Sequence, residues 1–373
     1  MRSRTMMVGI LGAAALLFGC PSDDDGATPD SGLPDAGDTG PEVPGPGVDL
    51  EADAPFDVTH DGAMLRLQFL VEDVNRRVNE LLFLDGPDGI LGAVREALGD
   101  EPGTTDCGSG SVTVTAESLT VDNPFGDAGD SFASLRYVFD DCEVSSLASG
   151  ALITNLVLDG TIVVGEGSDD VTRFVLEGPA TLTRQVATPF AGTYTWWMSG
   201  EVFVVPTFGT SGTDRVIGRW QSGSSVAMDP VAAGARFDLE GPGGAGMFVL
   251  DRSTVSGESG RFIGMEGRVR LDSRSNDADD CAAPGEYHVV GTLEPLAEDG
   301  PAAEFEEMAY TITGADGVSA RITLQYELLQ NGMILPDGFL VTIDGVEEHI
   351  TSSQVGQLRS LVQSTCRQQF SGF

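Results

Sequence analysis

Apolar and polar residues alternate along short segments from Ser111 onward, and a period of two is typical of β-strands with one buried face. Residues 111–115 (SVTVT) show the clearest alternation. Gly, Asp, Ser and Asn separate the segments, which indicates an antiparallel meander rather than βαβ units. The strand candidates are 111–115, 133–140, 151–158, 160–165, 171–177, 180–186, 192–198, 201–206, 214–221, 235–240, 246–251, 261–265, 267–272, 286–293, 308–313, 318–326 and 339–344.

A glycine recurs in this region in similar surroundings: an apolar residue, a mostly polar one, Gly, any residue, and then renewed alternation. We call these five the repeat glycines: Gly160, Gly178, Gly200, Gly267 and Gly345. Glycine inside a strand pattern marks a bulge, a bend or a close backbone approach. We therefore predict bends or tight turns at these positions. The expected fold is mainly β, with the antiparallel meander forming a strongly curved sheet or partly open barrel.

Helical periodicity flanks the strands. Apolar residues recur at three- and four-residue steps over 62–84, with Arg66 assigned to the polar side. This segment is too broadly apolar to stand alone, so we expect an N-terminal helix packed on the sheet. The patterns also predict a second helix over 88–98 and a short C-terminal helix over 352–364.

The N-terminal region has two compositions. Arg2 and Arg4 precede an apolar run over 8–18, which is too short to span a bilayer but fits a signal peptide. Residues 21–55 contain seven Pro and ten acidic residues and no basic or aromatic residue. Such a segment cannot bury enough apolar area to fold. We predict a signal peptide over 1–19, a disordered acidic tether over 20–55 that reaches up to about 100 Å, and a single mainly-β domain over 56–373.

The residues Leu17-Phe18-Gly19-Cys20 at the end of the apolar run resemble the lipobox of bacterial lipoproteins. The resemblance covers residues 1–20 only and implies cleavage before Cys20, with diacylglycerol and an acyl chain such as palmitate on that residue. Two or three chains suffice for stable anchoring, so membrane attachment is expected through the lipid alone. Pro21 in place of Asp favours the outer membrane. Residues 22–25 (SDDD) resemble the export signal of surface-displayed lipoproteins, so surface exposure is the alternative to a periplasmic position.

The chain is strongly acidic, with 58 Asp and Glu against 20 basic residues and a net charge of −38. Every basic residue is Arg, which excludes lysine chemistry. Such a charge repels nucleic acid, and the chain lacks the basic stripe that phosphate neutralisation requires. We expect a monomer with a protein or glycan partner at the cell surface and no nucleic-acid partner.

Five cysteines are present. If Cys20 carries lipid, four remain, and an even number in an exported protein indicates two disulfides. Four cysteines allow three pairings. We favour Cys107–Cys142 and Cys281–Cys366 because each pair lies within one section of the chain. Each would contribute about 3–5 kcal/mol in the chain-entropy treatment.

No motif for a serine hydrolase, a zinc protease, a phosphate-binding loop or a dinucleotide fold occurs in the sequence. The three histidines, His60, His288 and His349, are far apart. We therefore expect no catalytic residue, metal or cofactor, with an unrecognised hydrolase as a minor alternative.

Four aromatic residues are the candidates for a ligand-binding group: Tyr194, Trp196, Trp197 and Trp220. These rings either face a ligand, such as a sugar or an apolar molecule, or simply fill the core. The favoured function is a non-catalytic, lipid-anchored cell-envelope protein with a structural, adhesive or partner-binding role. The alternative is a carrier of lipid or a small apolar ligand, with a half-barrel cavity closed by helix 62–84. A filled interface between helix and sheet favours the first, and an open apolar cavity favours the second.

Overall fold

The computed structural model describes most of the chain after the N-terminal region. The described residues are 59–85, 90–98, 102–121, 123–125, 130–143, 153–186, 192–205, 213–227, 232–240, 247–253, 262–275, 285–297, 300–314, 317–329 and 334–361. The predicted signal peptide, Cys20 and the tether lie outside them.

The described residues form one antiparallel sheet of 15 strands and three α-helices, so the predicted mainly-β antiparallel fold is confirmed. The helices are α1 His60–Asp85, α2 Ile90–Leu98 and α3 Ser352–Leu361. The first eight strands are β1 Gly103–Asp106, β2 Ser111–Val121, β3 Asp130–Glu143, β4 Ile153–Glu166, β5 Thr172–Val186, β6 Gly192–Val205, β7 Thr213–Ala227 and β8 Ala232–Glu240. The others are β9 Phe248–Ser253, β10 Phe262–Ser275, β11 Gly285–Pro295, β12 Glu306–Gly314, β13 Ser319–Leu328, β14 Ile334–Ile343 and β15 Val346–Thr351.

Each strand pairs with the next in sequence, except around β8 and β9. Both of these lie between β7 and β10: β8 pairs with residues 220–227 of β7, and β9 pairs with residues 213–218. They therefore occupy one position in the sheet, one after the other along β7.

Four pairs of predicted strands are single long strands, and this corrects the sequence prediction. β4, β5, β6 and β10 each join two predicted segments, and Gly160, Gly178, Gly200 and Gly267 respectively lie at or directly after the join. A bend at glycine breaks the alternation without ending the strand, so the pattern resembles a boundary. The fifth repeat glycine, Gly345, lies in the tight turn between β14 and β15 with φ 77°.

The bends lie side by side and form a row that we call the crease. Gly160 and Gly200 have φ 104° and 125°, which favours glycine. Phe139 of β3 pairs with Gly160, and Leu176 of β5 pairs with Gly200. The register shifts beside these pairs, and Gly178 lies within the extra residues of β5 between Leu176 and Ala180. These shifts support the predicted bends at Gly160, Gly178 and Gly200, because bulges on neighbouring strands increase local twist and bending. Gly267 pairs with Val289 without a register shift, so no bulge accompanies it.

The prediction missed two whole strands, β1 and β15, and parts of others, among them residues 116–121 of β2, 222–227 of β7 and 334–338 of β14. β1 has four residues, and β15 (VEEHIT) exposes all but one of its side chains, so neither gives an apolar alternation. Residues 334–338 extend β14 beyond its predicted start, through a register shift opposite residues 325 and 326 of β13. The shift again breaks the periodic pattern.

Two helices begin at threonine caps. Thr59 Oγ1 accepts a hydrogen bond from the Gly62 amide at 3.0 Å at the start of α1. At α3, Thr351 and Gln354 form a capping box: the Gln354 amide donates to Thr351 Oγ1, and the Thr351 amide donates to Gln354 Oε1. These bonds satisfy backbone donors that the first helical turn leaves without a partner in the helix.

One large buried cluster, which we call the main core, joins α1 and α2 to one face of the sheet. It contains side chains from β2 to β7 and from β9 to β15. Helix α1 contacts α2, α3 and strands β13–β15, whereas α2 contacts β1. Five consecutive residues of α1, 63–67, are all buried.

Candidate functional site

The Cys107–Cys142 disulfide joins the β1–β2 turn to β3, as predicted, with the two Cα atoms 5.3 Å apart. The backbone around it is tightly hydrogen-bonded: the Gly108 amide donates to Glu143 O at 2.9 Å. Gly110 has φ 68°, and a Cβ there would lie 2.0 Å from Asp140 O. Cys281 and Cys366 lie outside the described residues, so their predicted pairing stays a prediction.

The four predicted aromatic residues all lie in β6 and β7. Trp196 and Trp197 pair with Ser224 and Gly223, whereas Trp220 pairs with Gly200, on the other side of Met198. Trp197 is half-buried. The side chains of Tyr194, Trp196 and Trp220 lie outside the described part of the chain. The ladder thus places three of these residues near one end of β6, with Trp220 at the crease.

Polar groups lie inside the main core. Tyr137 on β3, Tyr287 on β11 and Arg66 on α1 are 0, 1 and 2% exposed. Burial raises the pKa of Tyr287 far above its ordinary value, and the positive charge of Arg66 acts in the opposite direction. Arg66 is therefore not on the solvent side of α1, which corrects its assignment from helical periodicity. The only charged residue in the stretch 63–67 is enclosed together with its apolar neighbours.

A buried ion pair lies on the same face of the sheet at β7 and β9. Arg252 Nη2 is 3.7 Å from Asp214 Oδ2, and the two side chains are 4% and 15% exposed. Burial lowers the pKa of Arg252, and the Asp214 carboxylate opposes that shift. Arg252 lies on the same face of β9 as Phe248 and Leu250 of the main core. This end of the core is therefore polar.

The opposite face of the sheet carries ion pairs that cross between strands. Arg136 on β3 binds Glu117 on β2 and Glu177 on β5, and Arg215 binds Asp251 through two bonds of 2.6 and 2.7 Å. The hydrogen bond from Arg136 lowers the pKa of Glu177, and the bond to Asp251 raises the pKa of Arg215. The further pairs are Arg173–Glu201, Arg268–Glu286, Arg270–Glu286 and Arg321–Glu294.

A second, smaller apolar cluster covers part of that face. Phe132, Val171, Phe203 and Val205 are buried there, and Phe125 and Met247 pack against them. Phe132 and Phe203 meet edge to face at 6.1 Å, and the Arg173 guanidinium lies 6.0 Å from the Phe203 ring centroid. Because β3–β6 carry apolar clusters on both faces, the sequence there lacks a clean alternation.

The histidines occupy separate surroundings. His60 lies 3.1 Å from Glu348 and 3.2 Å from Val346 O, and so ties the start of α1 to β15. His349 Nε2 donates to Asp337 O at 3.0 Å, whereas His288 lies in β11 opposite Arg268 and Thr313. Among the described residues, no group of three or more His, Cys, Asp or Glu side chains is arranged to hold a metal ion.

In the described part of the chain, no helix combines the length and apolar character that crossing a membrane requires. Neither family models nor curated proteins match the sequence, and no solved structure matches the fold.

Neither the buried cation on α1 nor the partners in the ion pairs could be identified directly from the sequence. The ion pairs have a recognisable signal, an Arg or Glu on the polar step of an alternating strand, as in Leu135-Arg136-Tyr137. Which partner each charge meets depends on register, and the crease shifts that register.

Proposed function

We propose that this chain is an exported, lipid-anchored protein of the bacterial cell envelope. Its β domain would serve a non-catalytic structural, adhesive or partner-binding role. The observation that carries the anchor is the sequence Leu17-Phe18-Gly19-Cys20 behind a basic start and an apolar run. The Cys107–Cys142 disulfide supports export, because disulfides persist in oxidising compartments.

The proposal extends to the shape of the domain: a strongly curved sheet whose concave face is closed by α1. Successive helical residues differ by about 100° in direction, so five consecutive buried residues leave no side of the helix open. A flat sheet covers only one side of a helix. The buried stretch 63–67 and the crease at Gly160 and Gly200 support the curvature.

The core favours the non-carrier role. Met64, Leu70, Val74 and Val78 of α1 are at most 1% exposed and belong to the same cluster as the strands. Packing of this kind uses the concave face to stabilise the domain. The outer face and the strand edges are then the surfaces available for a partner.

Replacing Cys20 tests the anchor. Cys20→Ser removes the thiol that would carry the diacylglycerol, so we expect the protein to leave the membrane fraction or to accumulate with its signal peptide. Cys281→Ser, which leaves the lipobox intact, is the matched cysteine control and should stay in the membrane fraction. Normal processing and membrane retention of Cys20→Ser would exclude the lipoprotein assignment.

The carrier role is the second candidate, and the polar groups of the main core favour it. A guanidinium and two phenols inside an apolar cluster could orient the head group of an amphiphilic ligand. Native mass spectrometry of protein purified from its own membrane distinguishes the two roles. A retained mass beyond that of the chain and its anchor, lost in Arg66→Met but kept in Arg95→Met, would establish the carrier. A mass equal to chain plus anchor supports the partner-binding role.

A further inference from the structure

The two outer edges of the β13–β14 hairpin differ. β14 pairs with β15 over residues 338–343. Beyond this pairing, residue 336 is proline, which has no amide hydrogen, and Asp337 O accepts a hydrogen bond from His349 Nε2. This edge therefore offers few backbone groups to another strand.

The β13 edge is open by comparison. β12 pairs with β13 only from Ser319 to Ile322, opposite residues 310–313. β13 continues to Leu328 and β12 begins at Glu306, so their remaining segments carry no shared ladder. Among the described residues, no strand pairs with residues 323–328 on that side, and we call this segment the open edge. Unpaired strand edges are templates for an added strand.

The side chains around the open edge are apolar and acidic. Leu328 is 44% exposed and Leu335, on the neighbouring strand, is 40% exposed. Glu327, which pairs with Leu335, is exposed, and so is Glu306 at the start of β12. The nearest basic residue along β13, Arg321, already binds Glu294. An incoming strand would thus meet apolar side chains and negative charge.

We propose that the open edge binds an extended segment of a partner protein by β-strand addition, and that this segment alternates apolar residues with Arg or Lys. Backbone hydrogen bonds along 323–328 would give affinity, and the alternating side chains would give selectivity. A second copy of the chain is disfavoured because both copies carry a net charge of −38. This inference rests on the partner-binding form of the proposed function.

The test uses the complete mature chain carrying Cys20→Ser and an eight-residue peptide that alternates Val and Arg. Hydrogen exchange is measured with and without the peptide. We expect the amides of the open edge to exchange roughly tenfold more slowly when the peptide is bound. A peptide with Glu in place of Arg should give no protection.

Charge reversal at the edge locates the site. Glu327→Arg should weaken binding of the Arg peptide by roughly fivefold, the upper range for an exposed ion pair. Glu347→Arg makes the same charge change on β15, where the residue is also exposed, and should leave affinity unchanged. Equal weakening of binding by both variants would show that the overall net charge, not the open edge, determines the affinity, and would overturn the proposal.

Two other outcomes also overturn it. Protection of other strands without the open edge would place the peptide elsewhere, and strong protection without peptide would mean that the chain or a second copy already covers the edge. The peptide test does not depend on the lipid. A negative peptide result therefore says nothing about the anchor, which the Cys20→Ser fractionation tests separately. A negative fractionation result likewise does not affect the peptide-binding proposal.

Discussion

Strands β3–β7 and strands β11–β15 belong to one sheet, yet they differ in length and regularity. The first group has 14 or 15 residues per strand and register shifts at the crease. The second has 6 to 11 residues per strand, with a register shift between Gln325 and Tyr326. The long strands therefore carry bulges that the shorter strands largely lack, and bulges increase local bending and twist.

The two groups are also stabilised differently. β3–β6 lie between the main core and the smaller Phe132–Phe203 cluster and are tied to β1–β2 by a disulfide. The later strands β13–β15 rest against α1 and α3. A substitution that weakens one group should therefore increase hydrogen exchange in that group before the other.

Removing the disulfide should have the largest effect. Cys107→Ala with Cys142→Ala frees a segment whose ends are 35 residues apart, and we expect the free energy of unfolding to fall by about 4 kcal/mol. Hydrogen exchange should show faster opening of β1–β3 than of β11–β15. Equal loss of protection in both groups would show that the sheet unfolds as one unit.

Truncating a core residue of α1 should come next. Leu70 is fully buried, so Leu70→Ala should cost about 3 kcal/mol through lost burial and a cavity. Val346 is 61% exposed, and Val346→Ala is the control, with almost no expected change. Urea denaturation measures both. A small effect of Leu70→Ala would contradict the placement of α1 within the core.

Glycine substitutions compare the β1–β2 turn, which the disulfide joins to the first group, with the β14–β15 turn of the second. A side chain at Gly110 would meet backbone oxygen at 2.0 Å, whereas nothing lies within 4 Å of the Cβ position at Gly345. Both have positive φ. Gly110→Ala should therefore cost about 2–3 kcal/mol and Gly345→Ala about 1 kcal/mol. Similar thermal shifts for the two variants would contradict the tight packing around the disulfide.

The Glu177 ion pair should contribute least. The hydrogen bond from Arg136 lowers the pKa of the Glu177 carboxyl. The ion pair therefore stabilises the fold at pH values above the ordinary Glu range, and this stabilisation is lost as the pH falls through the folded-state pKa. The side chain is 45% exposed, and we expect Glu177→Gln to cost less than about 0.5 kcal/mol at neutral pH. In strong acid the variant and the natural protein should unfold alike. A persistent difference there would mean that the charge is not its cause.

The repeat glycines show how far the sequence leads. Gly160, Gly178 and Gly200 mark bulged positions, yet they also split the predicted β4, β5 and β6, because alternation stops at a bulge whether or not the strand ends. Gly267 splits the predicted β10 without a bulge. In β11 and β12, where the ladders carry no register shift, predicted and observed strands agree within two residues at each end. Arg66 could not be placed from sequence, because a charged residue on a helix is assigned to solvent unless its tertiary contacts are known.

The most direct test of the lipid anchor is the mass of the N-terminal peptide from membrane-extracted protein. The chain has no Lys and no Arg between Cys20 and Arg66, so trypsin should release residues 20–66 as one peptide. We expect this peptide to begin at Cys20 and to carry the added mass of a diacylglycerol and an acyl chain. A peptide that begins elsewhere, or an unmodified Cys20, would contradict it.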